Sequence, residues 1–316
     1  MDTHSRIVTV GLAPAWDVVC RGKGIEWGRH QTIDEQVVRP AGKALNVSCA
    51  LAWMRFPSIA AGLWGREDCG EMEAAVARLG GWVEARMTAV DGRTRRNITV
   101  VDALHRREMH LRCPSNLASV AGLRAVADGL SGLLHPGDTC VFAGAMPAGE
   151  LLGPTVDLVR ACRRAGARIA IDVHGPVFKE TVNAGLAWLI APNVAELREL
   201  LGAEIDDAPD ALIEAARTLL DRVEIVLISR GEHGALLIAK EGARTGYSKV
   251  RREVLSTVGC GDFLLAGFLT GLCETGDPSA GLKQGLQAAT ARAWGWSEAR
   301  AWGQVEKELA VVVEPM

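Results

Sequence analysis

Residues 168–229 read RIAIDVHGPVFKETVNAGLAWLIAPNVAELRELLGAEIDDAPDALIEAARTLLDRVEIVLIS. Three short runs stand out: Arg168–Asp172 (RIAID), Trp188–Ala191 (WLIA) and Glu224–Ser229 (EIVLIS). Each is apolar nearly throughout, as expected of strands covered on both faces. Helical patterns over Ala195–Leu201 and Asp210–Leu220 separate the last two. Alternation of this kind predicts an α/β fold built on a parallel sheet.

The same rhythm extends outward. Arg6–Gly11 (RIVTVG) predicts a first strand, and helical patterns cover Leu45–Met54, Met72–Leu79, Val120–Leu134 and Pro154–Ala165. Helices near Ser279–Trp294 and Gln304–Val312 close the chain. Two stretches break the pattern. Asp17–Pro40 is polar and carries Gly22, Gly24 and Gly28, while Thr94–Leu111 alternates through Asn97-Ile98-Thr99-Val100-Val101. Both predict strands outside the main sheet that form a small lid. The expectation is one domain over residues 1–316, with lid segments at about 17–40 and 94–111.

Bulk properties narrow the function classes. Hydrophobic residues make up 48% and charged residues 23% of the 316, an ordinary globular balance. A formal net charge of -3 supplies no strong basic field for nucleic acid. The opening MDTHSRIVTVG has no secretory pattern, and no apolar run is long enough to span a bilayer, so a cytoplasmic protein is expected. Eight cysteines are scattered singly, without a CxxC or Cys/His zinc pattern, and read as reduced thiols.

The chemistry concentrates in Ser256-Thr-Val-Gly-Cys-Gly-Asp262, followed by a helical run from Phe263 to Leu272. Gly259, Cys260 and Gly261 stand where a loop becomes a helix N-terminus. Free amides and the positive end of the helix dipole favour an anion there, and glycine lets the backbone approach it. Asp262 in isolation reads as a helix-start residue. The functional alternative is a base that takes a hydroxyl proton during phosphoryl transfer while the anion hole holds the transferring group, and these residues alone leave both readings open. Gly267 and Gly271 let this helix pack closely. Other phosphate-binding designs are excluded: Val37 and Ala44 break a Walker A around Gly42-Lys43, and no GxGxxG follows the first strand.

Several segments now fall into the order of one family. The chain resembles the PfkB/ribokinase-like carbohydrate kinases, most of all their phosphosugar-kinase branch of 1-phosphofructokinases and tagatose-6-phosphate kinases. The match runs from about Arg6 to Val313. Thr257–Asp262 with Ala266-Gly267 resembles the family's C-terminal signature, which implies Asp262 as base and Gly259, Cys260 and Gly261 as anion hole. Asn193-Val-Ala-Glu196 resembles its N-x-x-E element, implying that Glu196 organises Mg²⁺ through water; read alone, this is a helix cap with a capping-box partner. Ser229-Arg-Gly231-Glu-His-Gly234 resembles the turn beside ATP. Ala143–Gly149 and Asp172-x-x-Gly175 resemble two further family loops.

On the acceptor side the match is looser. Asp17 after Ala13-Pro14-Ala15, and Gly42, Lys43 and Asn46 in Ala41–Asn46, resemble segments that bind sugar hydroxyls and phosphate. Gly92-Arg-Thr-Arg95-Arg-Asn97 resembles a lid element, implying that Arg95 reaches the phosphates with Asn97 beside the sugar. Departures cluster here. Ala41 and Ala44 replace glycines, Thr32 stands where an arginine is common, with Arg29 nearby, and His110 and Arg112 lie in a rewritten lid strand. On the nucleotide side, Ser256, Arg230 and Cys260 depart from the common residues, and a thiol at a helix N-terminus is open to a lowered pKa.

The resemblance implies a ribokinase-like three-layer fold with a β lid, and ATP and Mg²⁺ as cofactors. It also implies phosphorylation of a sugar phosphate of the fructose 1-phosphate, fructose 6-phosphate or tagatose 6-phosphate type, and a possible homodimer through the lid. The alternatives are a kinase for a neutral sugar or nucleoside, or a non-catalytic sugar-phosphate sensor. A Rossmann oxidoreductase is disfavoured by the absent glycine fingerprint.

Overall fold

The apolar runs pair as parallel strands in the interior of one large sheet. The structure, a computed structural model, describes residues 6–316. In chain order the strands are β1 (Ile7–Gly11), β2 (Ala15–Gly22), β3 (Glu35–Ala41), β4 (Ser58–Gly65), β5 (Val83–Val90), β6 (Arg96–Asp102) and β7 (Arg107–Leu111). They continue with β8 (Thr139–Ala143), β9 (Arg168–Asp172), β10 (Leu189–Ile190), β11 (Ile225–Ser229), β12 (Ala235–Ala239), β13 (Gly242–Ser248) and β14 (Val311–Pro315). Ten of them form a sheet in the order β14-β13-β12-β11-β10-β9-β8-β1-β4-β5. Pairing is parallel from β11 through β5 and antiparallel among β11, β12, β13 and β14.

Helices cover both faces, giving three layers. On one face Leu123, Val126, Leu158, Val159, Phe178, Leu197 and Leu212 bury against the sheet. On the other, the helices Lys43–Trp53, Cys260–Thr275 and Pro278–Ala293 bury Val47, Leu51, Leu265, Phe268 and Leu282. Burial of such side chains stabilises by roughly 1.5–3 kcal/mol each. The helix Cys260–Thr275 is buried from Asp262 through Gly271, and from Phe263 to Leu269 it carries no polar side chain. Gly267 and Gly271 explain how closely it packs. A Cβ on Gly267 would lie 2.7 Å from the Gln284 carbonyl oxygen, and one on Gly271 2.9 Å from that of Ala280.

β2, β3, β6 and β7 form a separate four-stranded sheet in the order β3-β2-β6-β7, as the two interrupting segments predicted. Asp68 ties its base to the main body, accepting from Trp16 Nε1 at 2.6 Å and from the Thr94 amide at 3.1 Å.

The C-terminal expectation needs correcting. The last helix spans Trp302–Glu308, not Gln304–Val312, and the chain then pairs β14 antiparallel to β13. The β-branched run Val311-Val312-Val313 suits a pleated edge better than a helical turn. The sequence reading also passed over β4, β5, β8, β12 and β13 and the helix Pro176–Asn183. Among the described residues no helix is long and apolar enough to cross a membrane, and all eight cysteines are free thiols.

Candidate active site

Strand order reverses at β1, whose neighbours are β8 on one side and β4 on the other. Open α/β sheets bind ligands at such a switch point, beyond the carboxyl ends of the strands. A cavity of about 1380 Å³ lies there, lined by Gly11, Ala143, Asp172 and Ser229 from the ends of the parallel strands and by Asn193, the N-cap of the helix Val194–Leu201. Its far wall is the second sheet, through Asp17, Arg39, Asn97 and His110. A second cavity of about 990 Å³ adjoins it and contains Ser229, Gly231, Gly234, Tyr247 and Trp294. Asn193, Ser229, Thr257 and Gly261 line both.

The two spaces meet at the start of the helix Cys260–Thr275. Gly259 is its N-cap at φ 81°, a left-handed conformation that glycine adopts without a Cβ penalty. The Cys260 amide bonds back to the Thr257 carbonyl and the Phe263 amide to that of Gly259. The amides of Gly261 and Asp262 fall in the first turn, where no intrahelical acceptor exists. Open space lies over Gly261, where an added Cβ would meet nothing within 4 Å. An anion thus has both donors and room.

Asp262 is buried in the first turn and accepts from Asn46 Nδ2 at 2.8 Å. Burial, reinforced by the nearby Asp172 carboxylate, pushes its pKa up to about 7, against the pull of Lys43, Asn46 and Arg292. A carboxyl that titrates near neutrality is suited to accepting a proton. Lys43 Nζ donates to Asp172 Oδ1 at 2.6 Å. Burial works against the Lys43 charge, yet Asp172 holds its pKa up at about 12, so it stays an ammonium. The helix that carries Lys43 and Asn46 starts at the N-cap Gly42.

Asp17 and Asn97 are cross-strand partners on β2 and β6, with Asn97 Nδ2 donating to Asp17 Oδ1 at 3.2 Å. The buried Asn97 Oδ1 has no protein donor among the described residues. Arg95 also lines the larger cavity, but its guanidinium donates to the carbonyls of Pro14, Ala13 and Cys113 at 3.2, 2.9 and 2.7 Å. These bonds join the start of β6 to the loop after β1 and to the segment after β7. His110 and Arg112 both line this cavity.

On the other side, Asn193 and Glu196 form a complete capping box, each side chain accepting the other's amide at 2.9 Å. No group of three or more His, Cys, Asp or Glu side chains placed to hold a metal occurs among the described residues. Arg230 is folded back on Asp207, with Nε 3.0 Å from Oδ1. The Cys260 thiol corrects the lowered pKa raised by its position: burial pushes it up to about 11, and the helix end does not activate it. Sequence reasoning missed the Lys43–Asp172 pair, because Asp172 was read only as part of a loop motif. It also missed Arg292 and Glu298, which line the larger cavity from the helix Pro278–Ala293 and the short helix Trp296–Ala299, neither of which carries a motif.

Comparison with known proteins identifies the family. The profile of the pfkB family carbohydrate kinases matches residues 4–293. A 1-phosphofructokinase of Rhodobacter capsulatus is 32% identical over 266 residues, covering 84% of this chain and 83% of that protein. One of Xanthomonas campestris pv. campestris is 30% identical over 288 residues, covering 90% and 88%. Phosphofructokinase-2 from Escherichia coli, solved in complex with fructose-6-phosphate, superposes with a TM-score of 0.85 at 21% identity, covering 95% of this chain and 99% of that one. That likeness shows the ribokinase-like fold. The chain belongs to the pfkB family of carbohydrate kinases and is a carbohydrate kinase.

Proposed function

We propose that this kinase transfers the γ-phosphoryl group of ATP to a hydroxyl of a sugar phosphate, of the fructose 1-phosphate, fructose 6-phosphate or tagatose 6-phosphate type, with Asp262 as general base. The observation that carries the reading is the position of Asp262. It is a buried carboxyl with a pKa of about 7, one residue beyond Gly261, where the two cavities meet. The names of the relatives favour fructose 1-phosphate.

The residues present fit the cofactors. The smaller cavity, with Ser229, Gly231 and Gly234 at its wall and Cys260 and Gly261 of the helix start among its lining, would hold the nucleotide. Glu196 uses Oε2 in its cap, and its second carboxylate oxygen would be the group to help hold a divalent ion through water. Mg²⁺·ATP supplies the phosphoryl group and part of the charge neutralisation. The chain supplies the rest. Asp262 accepts the hydroxyl proton while Asn46 orients its carboxylate. The Gly259–Gly261 turn holds the transferring charge, and Asp17 and Asn97 Oδ1 receive sugar hydroxyls. In this reading the second sheet is a lid that excludes water from one 1–316 domain. A homodimer through that sheet is part of the proposal, supported by the cross-strand row Val38-Val18-Ile98-Leu111, in which Val38, Ile98 and Leu111 are exposed.

A second reading, a kinase for a neutral sugar or nucleoside, is favoured by one observation. Lys43 is paired with Asp172 and Arg95 with three carbonyls, so the two cations expected at an acceptor phosphate are already engaged. ADP release over a panel of sugars, nucleosides and sugar phosphates, with Asp262→Ala as control, separates the two. Turnover confined to sugar phosphates supports the first reading. Turnover on ribose or a nucleoside instead supports the second, and undiminished turnover in Asp262→Ala removes the proposed base.

A further inference from the structure

Arg292 lies near the end of the helix Pro278–Ala293, on the wall of the larger cavity, and the chemistry proposed above gives it no part. Its side chain is withdrawn from solvent, at 14% relative exposure. A guanidinium held there needs its donors met. Nη1 donates to Glu298 Oε1 at 2.7 Å, and Nε donates to the Val258 carbonyl at 3.1 Å. Its carbon lies 5.6 Å from the Phe263 ring centroid, a cation–π contact. Val258 immediately precedes the N-cap of the helix that carries Asp262.

The next residue brings the guanidinium and the base together. A Cβ built on Gly259 would lie 3.6 Å from Arg292 Nε and 3.7 Å from Asp262 Oδ2. Arg292 and Asp262 therefore flank the same glycine. The loop is tied a second time to the same helix end, where the Leu255 amide donates to the Ala293 carbonyl at 2.8 Å. Hydrogen bonding to Arg292 holds the Glu298 carboxyl below its usual range, so the pair is ionised at neutral pH.

We infer that Arg292, anchored by Glu298, is a positioning residue for phosphoryl transfer: it fixes the loop that presents Gly259–Gly261 and sets a positive charge beside Asp262. The inference rests on Asp262 as the base. The charged and titratable groups that act on Asp262 are Asp172 from the end of β9, Lys43 from the helix Lys43–Trp53 and Arg292 from the helix Pro278–Ala293. The Cys49 and Cys260 thiols are near as well, and burial raises both to about 11, so they are neutral at pH 7. Of the two cations, Lys43 is bonded to a second carboxylate, Asp172, that itself raises Asp262. Arg292 is bonded instead to the ionised Glu298 and to the loop, and its charge lowers the Asp262 pKa.

The test is the pH profile of kcat and kcat/KM for Arg292→Ala, Arg292→Lys and Glu298→Gln. It uses the full chain, Mg²⁺·ATP and fructose 1-phosphate, or the best acceptor from the panel. Arg292→Ala is expected to lower kcat by about 10–100-fold and to move the acid limb up by roughly half a pH unit or more. Arg292→Lys keeps the charge but not the fork, so its limb stays near that of the parent while kcat falls. Glu298→Gln shows a smaller kcat loss. An Arg292→Ala limb that superimposes on the parent's overturns the inference, as does a loss of thermal stability with kcat and limb unchanged. If Arg292→Ala does not fold, Arg292→Lys and Glu298→Gln decide: parental kcat in both overturns it. Asp262→Ala runs alongside. Undiminished turnover there overturns the base reading itself, whereas a dead Asp262→Ala with an unshifted Arg292→Ala overturns only the role of Arg292.

Discussion

The Asn46 amide nitrogen stands 2.8 Å from Asp262 Oδ2 and donates to it, joining residues 216 positions apart. One end of this bond is at the first turn of the helix Lys43–Trp53 and the other at the first turn of Cys260–Thr275. The acceptor side and the transfer side of the site are thereby set against each other at a hydrogen-bond distance. A bond to the ionised carboxylate favours that form. Asn46→Leu is expected to move the acid limb of kcat/KM upward and to raise KM for the acceptor. An unchanged limb would separate this bond from the titration of Asp262.

Asp262→Asn keeps the shape of the side chain and removes the proton acceptor. General-base catalysis contributes about 10²–10⁴-fold, so kcat is expected to fall within that range with KM for both substrates little changed. Coupled ADP release measures it. A fall of less than about threefold would mean that the hydroxyl loses its proton elsewhere.

Activity is expected to rise with pH through about 7, because Asp262 serves as a base only when deprotonated. Asp172 raises the Asp262 pKa, and it also engages Lys43. Asp172→Asn removes a like charge and releases a cation, and both changes act in the same direction. Its acid limb is expected below that of the parent, as read from kcat/KM between pH 5 and 9 (about the working range of such assays). A limb displaced upward would contradict the charge arrangement described here.

Stability follows the same group with the opposite consequence. The folded-state pKa of Asp262, about 7, lies above its ordinary value of 3.8. Its contribution is therefore fully present below the lower value and is lost as pH rises through the upper one. Asp262→Asn removes that loss. The variant is expected to be more stable than the parent above pH 7, by about 1–4 kcal/mol, with the gap closing toward pH 4. Denaturant midpoints at the two pH values measure the gap, and a pH-independent difference would show that the carboxyl is not strained by burial.

Gly267→Ala places a methyl 2.7 Å from the Gln284 carbonyl oxygen, so the helices Cys260–Thr275 and Pro278–Ala293 must separate. Overpacking of this kind typically costs about 1–3 kcal/mol. A lower melting temperature is expected, together with reduced kcat, because the displaced helix carries Asp262. Unchanged melting would show that the interface yields freely.

Much of the architecture was legible in local residue patterns. The apolar runs of β9 and β11 and the broken rhythm at 17–40 and 94–111 carried both sheets, because burial on two faces or one leaves a direct mark on residue choice. Edge and hairpin strands were less legible. β12, β13 and β14 lie toward the margin of the sheet, and the run that forms β14 was absorbed into the preceding helical pattern. Its strand character depends on a partner, β13, more than sixty positions earlier.

By itself the sequence determined the helix start at Gly259-Cys260-Gly261-Asp262 and the glycines that let its helix pack, since these depend on neighbours close along the chain. Only the tertiary structure decided the charge state of the site. It buried Asp262 beside Asp172, paired Lys43 with Asp172, committed Arg95 to three carbonyls and set Arg292 next to Gly259. The physical reason is distance. Desolvation and Coulomb interaction act through space over a few ångströms, between residues that the chain separates by tens to hundreds of positions.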